Sequence, residues 1–348
     1  MHIARGSGLV VLCTLAVLSG VAGVEVRGQG TTNPEGGPEG ESQAPVRMLC
    51  LGDVNLGRHV GQVLLRGDTL YPWRYIADSL HQYDIVFANL ESNLSDQGGL
   101  TEDPRSNTVF TGPPSGAASL ERGGITVVST ANNHAMDFGL RALQQTCALL
   151  DQAHVAHAGS ARDSSEVYAP ALLSVRGLRV ALFASTEFIN GARDAAWQKV
   201  VASPDTGRLF PLIRKTRDSA DVIIVSIHGG VEYNPAPAPG LLRFAREAVD
   251  AGADVVLGHH PHVPYAVFTW HGGIIAPSLG NCVFKQPFTY WTQRSFALSL
   301  EFRKNGDGKV STTYRCYPLH AGYQPRFLAP GPEFDAVMKR VCSGTSNE

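Results

Sequence analysis

The sequence predicts an α/β fold built as a layered sandwich, in which mixed sheets contain both parallel and antiparallel strands. Five short apolar runs rich in Val and Ile have the composition of strands buried on both faces, and helical patterns alternate with several of them. Toward the C-terminus strand-like segments instead follow one another with little helix between them. This combination is typical of helices packed outside mixed sheets. The five runs are Leu49–Asp53, Asp84–Glu91, Ile125–His134, Val222–Gly230 and Asp254–His262.

Two segments show the periodicity of amphipathic helices. After His134, the side chains of Leu140, Leu143, Cys147 and Leu150 recur on one helix face. The stretch 240–251 repeats this spacing with Leu, Ala and Val. We therefore predict a helix in each segment, and each follows one of the apolar runs.

Four more segments have strand composition: Arg179–Thr186, Gly273–Asn281, Ser295–Phe302 and Lys309–Tyr317. The last two flank the sequence Asn-Gly-Asp-Gly at 305–308. A turn of this composition between two apolar runs is a strong signal for a β-hairpin. We expect these two strands to pair antiparallel.

The N-terminal residues indicate export. Residues 1–23 resemble a secretory signal, with an apolar run over Leu9–Val21 that is too short to span a membrane comfortably. If the segment is not cleaved, it would anchor the chain. Residues 24–45 are predicted to be a flexible linker rich in Gly, Pro and Glu, followed by a folded domain over 46–325 and a C-terminal tail over 326–348. The predicted location is the periplasm or the cell surface.

Composition excludes some classes of function. The chain has 348 residues, 43% of them hydrophobic and 17% charged, as in ordinary soluble proteins. A net charge of −2 provides no basic surface, so nucleic acid is not an expected partner. No fingerprint of a nucleotide coenzyme occurs.

The cysteines do not predict a disulfide scaffold, because five remain after the signal and they are widely spaced. Cys50 and Cys147 occupy apolar positions and are expected to be buried free thiols. Cys316 and Cys342 are the one pair for which we would test a disulfide.

Polar side chains follow the apolar runs at the predicted strand ends, where an open α/β sheet binds its ligands. Taken alone, Asp53 could be a turn or helix-cap residue, and Glu91 could be a solvated surface residue. His228 is more suggestive, because the two glycines after it let a ligand approach the backbone. The segment His259–His262 places three imidazoles within four residues, and histidines two apart can chelate a metal. Together these side chains predict a metal site.

The segments that carry these residues resemble the CapA family of poly-γ-glutamate capsule proteins, whose domain is similar to a divergent calcineurin-type metallophosphoesterase. The resemblance covers residues 46–320 and implies an α/β/β/α sandwich of the metallophosphoesterase type. The matching motifs are GDVNLGR (52–58), NLE (89–91), ANNHAMDFG (131–139), HGGVEY (228–233), GHHPHV (258–263) and SLGN (278–281).

The resemblance also implies roles for individual residues. His134 would be the general acid, and Glu91 would be the bridging carboxylate, where the superfamily has Asp. One position departs from the pattern, since Asn55 stands where the superfamily has a histidine ligand. The implied metal ligands are Asp53, Glu91, Asn133, His228, His260 and His262.

We also predict residues that take part in the reaction or bind the substrate. Asp137 is predicted to orient the imidazole of His134, although it could equally cap the helix that follows. Asn132, Glu232, His259 and Arg58 are the predicted substrate-binding residues. Glu232 could instead lie at a strand end on the surface, and Arg58 could instead be a solvated surface residue.

The ligands are oxygen and nitrogen donors without thiolate, which suits Mn, Zn or Fe as one or two divalent ions. The expected reaction is metal-assisted hydrolysis or transfer at a phosphoryl or amide centre. The resemblance implies a role in capsule or poly-γ-glutamate synthesis, with an anionic polymer or a phosphorylated substrate and membrane-associated capsule synthesis proteins as partners. The alternatives are a general phosphoesterase and a non-catalytic component of an envelope assembly.

Overall fold

The computed structural model describes residues 14–18, 21–26 and 44–343, with the exception of Ser165 and Arg193. Numbered along the chain, its strands are β1 (Thr14–Leu18), β2 (Val21–Val26), β3 (Val46–Val54), β4 (Ile85–Leu90), β5 (Asn93–Leu94), β6 (Glu102–Asp103), β7 (Ser106–Gly112), β8 (Val127–Ser129), β9 (Ala156–Ala158), β10 (Ala171–Val175), β11 (Leu178–Thr186), β12 (Val222–His228), β13 (Val255–His259), β14 (Phe268–Trp270), β15 (Gly273–Ala276), β16 (Arg294–Lys304), β17 (Val310–His320) and β18 (Arg326–Phe327). Its α-helices are α1 (Arg58–Leu65), α2 (Ala77–Leu80), α3 (Ser115–Arg122), α4 (Gly139–Gln152), α5 (Thr206–Thr216), α6 (Pro239–Asp250) and α7 (Pro332–Val341).

Two large mixed sheets form the centre of the fold. The first has the strand order β1-β2-β17-β16-β3-β4-β8-β9, with β18 beside β17, and the second has the order β10-β11-β12-β13-β15-β14. The run β3-β4-β8-β9 and the run β11-β12-β13-β15 are parallel. The neighbours β16 and β17 of the first sheet, and the edges β10 and β14 of the second, pair antiparallel. The predicted mixed sheets are confirmed.

The two sheets pack face to face, and helices cover their outer faces. Phe87 of the first sheet and Ile224 of the second lie in one buried apolar cluster. Leu120 of α3 packs on the outer face of the first sheet, and Phe244 of α6 packs on that of the second. The order of layers is therefore α/β/β/α, as predicted.

Most predicted elements are present. The five apolar runs coincide with β3, β4, β8, β12 and β13. The predicted hairpin joins β16 to β17, where Lys304 pairs with Val310. The strand predicted over Gly273–Asn281 ends at Ala276, because the chain then turns into a loop that packs against β3. Leu140 was placed on the buried face of α4 but is 42% exposed, since it lies in the first turn of that helix.

The folded domain extends beyond residue 325, where the sequence placed its end. β18 pairs with β17, and the apolar face of α7, including Phe334 and Val337, joins the cluster between the sheets. The segment predicted as a C-terminal tail therefore supplies part of the core.

The predicted signal and linker fall mostly on residues 1–13, 19–20 and 27–43, outside the described part of the chain. Within it, β1 pairs with β2, and β2 pairs with β17. Among the described residues, we find no helix with the length and hydropathy required to cross a bilayer. Export and the division at residue 23 stay predictions.

A glycine at the end of β3 allows this strand and the 277–282 loop to touch. A Cβ at Gly52 would lie 1.9 Å from the carbonyl oxygen of Gly280, which accepts a hydrogen bond from Asp53 N at 2.9 Å. We expect Gly52→Ala to lower the free energy of unfolding by about 1–3 kcal/mol or more, because backbone must move on both sides. Gly306→Ala, where a Cβ meets nothing within 4 Å, is the matched control. Urea unfolding measures both, and equal stabilities would contradict this account of the contact.

Candidate metal centre

The carboxyl ends of the central parallel strands bring the predicted ligands together at one edge of the sandwich. Asp53 lies near the end of β3 and Glu91 follows β4, while His228 and His259 end β12 and β13. All four side chains are fully buried. Because desolvated polar groups are costly unless they have partners, the contacts of these groups decide what the site can hold.

Glu91 is the central carboxylate, and it has no hydrogen-bond partner among the described residues. Neither carboxylate oxygen accepts a hydrogen bond within the described structure. Three imidazoles surround it, with Nε2 of His228, His262 and His134 at 3.8, 3.7 and 3.9 Å from Oε1. Burial, and then the nearby Asp53 carboxylate, raise the pKa of Glu91 well above its ordinary value. A buried carboxylate among imidazoles is a group that could bind a metal ion.

Two groups of donor atoms meet at Glu91. Atoms of Asp53, Glu91 and His228 lie within 4.8 Å of one another, and so do atoms of Glu91, His260 and His262. The predicted ligand Asn133 adjoins the first group, since its Oδ1 is 2.8 Å from His228 Nε2. This set of oxygen and nitrogen donors fits divalent Mn, Zn or Fe. Because the two groups share one carboxylate, they fit a bridging role for Glu91.

The segment after β13 holds two of these imidazoles in a strained backbone. His260 has φ +94° and His262 has φ +57°, in the left-handed region that non-glycine residues seldom adopt. Strain of this kind persists where a function requires it. Burial and the neighbouring His262 lower the pKa of His260 to about 3, so its imidazole is neutral near pH 7 and its lone pair is available to a metal.

His228 is also kept neutral. Burial, and then the charge of His260, lower its pKa well below the ordinary value. Its other nitrogen, Nδ1, lies 3.1 Å from Asn89 Nδ2, and the same amide donates to Asp53 Oδ1 at 2.9 Å. Asn89 therefore orients two predicted ligands. The sequence predicts no role for Asn89, although Asn89 and Glu91 are two residues apart and side chains at that spacing in a strand share a face.

Asp53 is held in the ionised form by its neighbours. Burial alone would raise its pKa, but contacts with His259 and His262 lower it well below the ordinary value. The Nδ1 atoms of these two imidazoles lie 3.3 and 3.2 Å from the carboxylate oxygens. Asp53 can thus act as an anionic ligand over the whole neutral pH range.

Asn281 fixes the orientation of His262. Its Nδ2 donates to Gln286 Oε1 at 3.0 Å and to the carbonyl oxygen of Thr292 at 2.9 Å, so its Oδ1 faces the imidazole. That oxygen lies 2.9 Å from His262 Nδ1. The proton of the imidazole therefore resides on Nδ1, and Nε2 is free to bind a metal. The SLGN motif contained Asn281, but nothing in the sequence linked it to His262.

Asn55, which replaces the superfamily histidine, forms a turn. Its Oδ1 accepts a hydrogen bond from Gly57 N at 2.7 Å. The amide thus stabilises the backbone before α1.

His134 and Asp137 form a pair above Glu91. Asp137 Oδ2 lies 2.8 Å from His134 Nδ1 and also accepts a hydrogen bond from Phe110 N at 3.0 Å. The ring of Phe110 stacks on the imidazole with centroids 4.1 Å apart. Among the described residues, the hydrogen bonds of the Asp137 carboxylate join it to His134 and Phe110, as an orienting role requires. The imidazole is fixed with Nδ1 toward Asp137 and Nε2 toward the site.

A cavity of about 520 Å³ opens over the site. His134, Asn133 and His262 line it, together with the predicted substrate-binding residues Arg58 and Glu232. The guanidinium of Arg58 lies 4.5 Å from the Phe110 ring centroid, and its Nε has no hydrogen-bond partner in the described structure.

The other two predicted substrate-binding residues lie beneath the cavity. Asn132 is buried, where it donates to the carbonyl oxygen of Leu90 at 2.8 Å and accepts from His134 N at 3.1 Å. His259 is buried against Phe87 and beside Asp53. Asn132 therefore supports the loop that carries His134, and His259 supports the carboxylate of Asp53.

Asn190 is a site residue that no pattern in the sequence indicates. Its Oδ1 accepts a hydrogen bond from Asn133 Nδ2 at 3.2 Å, and its side chain lines the cavity beside His134. It lies in the loop after β11, where no motif occurs, so only the fold brings it to the metal ligands.

The chain is similar to known capsule proteins over most of its length. Residues 47–286 match the family model of the bacterial capsule synthesis protein PGA_cap. The capsule biosynthesis protein CapA of Bacillus anthracis is 32% identical over 285 residues, which cover 76% of this chain and 68% of that protein. The PGA biosynthesis protein CapA of Bacillus subtilis is 29% identical over 266 residues, with 76% and 69% covered.

Among solved structures, one similar chain is a Staphylococcus aureus protein provisionally assigned as a 5'-nucleotidase. It has 12% identity and a TM-score of 0.48, with 85% of this chain and 58% of that chain covered. The family model spans the segments that carry the cluster around Glu91. This chain is therefore a member of the CapA family of bacterial capsule synthesis proteins, the PGA_cap family.

Proposed function

We propose that this chain is an exported, metal-dependent hydrolase of capsule biosynthesis that acts on an anionic polymer of the poly-γ-glutamate type. The observation that carries the proposal is the buried carboxylate of Glu91, which has no hydrogen-bond partner among the described residues and is shared by two groups of side chains that could hold a metal, beneath an open cavity. Burial of such a group costs free energy, which a bound cation would offset.

Asp53, Glu91, Asn133 and the three histidines His228, His260 and His262 would hold the ion or ions. A bound divalent metal acts as a Lewis acid toward the scissile group. Within the chain, Asp137 accepts a hydrogen bond from Nδ1–H of His134 and so directs Nε2 toward the site. The doubly protonated imidazole would then give its Nε2 proton to the leaving group. Positioned proton transfer of this kind accelerates reactions by about 10²–10⁴-fold.

Cationic side chains next to the active-site cavity support the proposed substrate class. A second cavity, of about 530 Å³, is lined by Lys285, Tyr323 and Arg326. Lys285 lies between Phe284 and Gln286, which both line the active-site cavity. The Lys285 ammonium lies 5.1 Å from the Tyr323 ring, so it stays available to an anion. A polymer with repeated carboxylates could extend from the metal ligands along this surface.

The double variant Lys285→Ala/Arg326→Ala is expected to bind poly-γ-glutamate several-fold more weakly, because two exposed cations of the second cavity are lost. The affinity of the wild type should fall as salt increases, since exposed charges are screened. Lys309→Ala, in the β16–β17 hairpin, is the control and should bind as the wild type does. Equal affinities for all three proteins, measured by fluorescence anisotropy with labelled polymer, would remove the second cavity from the proposal.

The reaction is tested with the full-length protein and poly-γ-glutamate of defined length, with added Mn²⁺, Zn²⁺ or Fe²⁺. The expected result is metal-dependent shortening of the polymer, followed by size-exclusion chromatography. Turnover of an aryl phosphate without polymer shortening would instead support a general phosphoesterase. Polymer binding without turnover of either substrate would support a non-catalytic component that works with membrane-associated capsule synthesis proteins.

A further inference from the structure

The last helix ends beside a buried cysteine of the first sheet. Cys316 lies on β17 and is 1% exposed, whereas Cys342 follows the last residue of α7 and is exposed. Val341, the residue before Cys342, lies in the same buried apolar cluster as Cys316, and each of the two thiols shifts the pKa of the other. They are 26 positions apart in sequence (342 − 316), so the tertiary fold brings them together.

We propose that Cys316 and Cys342 form a disulfide when the protein meets an oxidising environment, and that this bond fastens α7 to the first sheet. The remaining thiols of the folded domain have other surroundings. Cys50 lies in β3, Cys147 in α4 and Cys282 in the loop after β15, and each is at most 1% exposed. We propose no disulfide for these three cysteines.

The different exposure of the two thiols sets the order of the reaction. The Cys316 thiol lowers the pKa of Cys342, and the Cys342 thiol, together with burial, raises the pKa of Cys316. The exposed Cys342 thiolate would attack a small disulfide such as oxidised glutathione, releasing one glutathione thiol and leaving a mixed disulfide. Cys316 would then lose its proton, attack Cys342 Sγ and release the second glutathione thiol. Two protein thiols are oxidised and one small disulfide is reduced to two thiols.

The bond would act on a helix that supports the metal centre. Arg340, two residues before Cys342, donates to the carbonyl oxygen of Pro264 at 2.6 Å and to that of Pro235 at 3.1 Å. These prolines lie in the loops that also carry His262 and Tyr233, which line the active-site cavity. Fastening the end of α7 therefore fixes the position of a side chain that holds both loops.

The test uses the full-length protein incubated with oxidised glutathione, then alkylated under denaturing conditions, digested without reduction and analysed by mass spectrometry. The expected product is a linked pair of peptides that contain Cys316 and Cys342, about 2 Da lighter than the two thiol peptides. Cys50, Cys147 and Cys282 should be alkylated in the same sample and serve as the internal control. Alkylation of Cys316, a lasting glutathione adduct on Cys342, or a bond from Cys342 to another cysteine would each overturn the proposal.

A second measurement distinguishes a disulfide between Cys316 and Cys342 from two thiols that are only close together. Oxidation should raise the midpoint of thermal unfolding of the wild type by several degrees, and reduction should reverse the change. Cys342→Ser, at an exposed position, should show no response to the oxidant. A midpoint that rises equally in this variant would show that another group is responsible and would refute the assignment.

Discussion

Glu91→Gln is expected to abolish stoichiometric binding of Mn²⁺, Zn²⁺ or Fe²⁺ by the full-length protein. The substitution keeps the shape of the side chain but removes the negative charge that both donor groups share. Removing one partner of a buried charged pair typically costs about 3–5 kcal/mol, which is a loss of more than a hundredfold in affinity. Elemental mass spectrometry of the purified protein measures the metal content.

The same substitution should not destabilise the metal-free protein. Neither oxygen of Glu91 has a hydrogen-bond partner in the described residues, so burial of this carboxylate opposes folding when no cation is present. We therefore expect the thermal midpoint of metal-free Glu91→Gln to equal or exceed that of the metal-free wild type. A metal at 100 times its dissociation constant should stabilise only the wild type, by about 2.7 kcal/mol.

Glu301→Gln provides the control, because Glu301 pairs with Arg303 away from the cavity. This variant should retain the metal content of the wild type. If Glu91→Gln also retains it, Glu91 is not a ligand and the metal-centre interpretation fails. If the variant loses metal and the metal-free protein unfolds at a much lower temperature, Glu91 has a structural role that the contacts do not reveal.

His134→Gln is expected to slow hydrolysis by about 10²–10⁴-fold, the usual contribution of a positioned general acid. The metal content should be unchanged, because the groups of metal-binding donor atoms around Glu91 do not include His134. Turnover of poly-γ-glutamate and of an aryl phosphate, with the metal content of the same sample, tests both statements.

His271→Gln is the matched control, since His271 is an exposed histidine that pairs with Asp250 on the surface. Its rate should equal that of the wild type. A His134→Gln enzyme as fast as the wild type would exclude His134 as the proton donor. A slow variant that has also lost its metal would instead assign His134 to the metal site.

Much of the site could be predicted from single residues and their spacing. Asp53, Glu91 and His228 each follow an apolar run, and such runs form parallel strands whose ends meet at one edge of a sheet. The cluster His259–His262 predicted chelation by its composition. The fold class followed from the same runs together with the hairpin signal at 305–308.

The supporting residues could not be predicted in this way, because their roles depend on contacts between distant segments. Asn281 determines the tautomer of His262, and Asn190 contacts Asn133, yet both lie in loops without a periodic pattern. Asn132 and His259, assigned to the substrate from their motifs, face buried partners beneath the cavity. A motif places a residue near a site but does not determine the direction of its side chain.

The sequence by itself determined the layered α/β fold, the edge at which the ligands gather and the donor chemistry of the metal centre, since these depend on the polarity and period of local segments. The tertiary structure alone decided that Glu91 is shared by two donor groups, that α7 belongs to the core, and that Cys316 adjoins Cys342. Each of these features requires two or more segments to pack together. Local sequence encodes which face of a segment is buried, whereas the partner of that face is chosen by the packing of the whole chain.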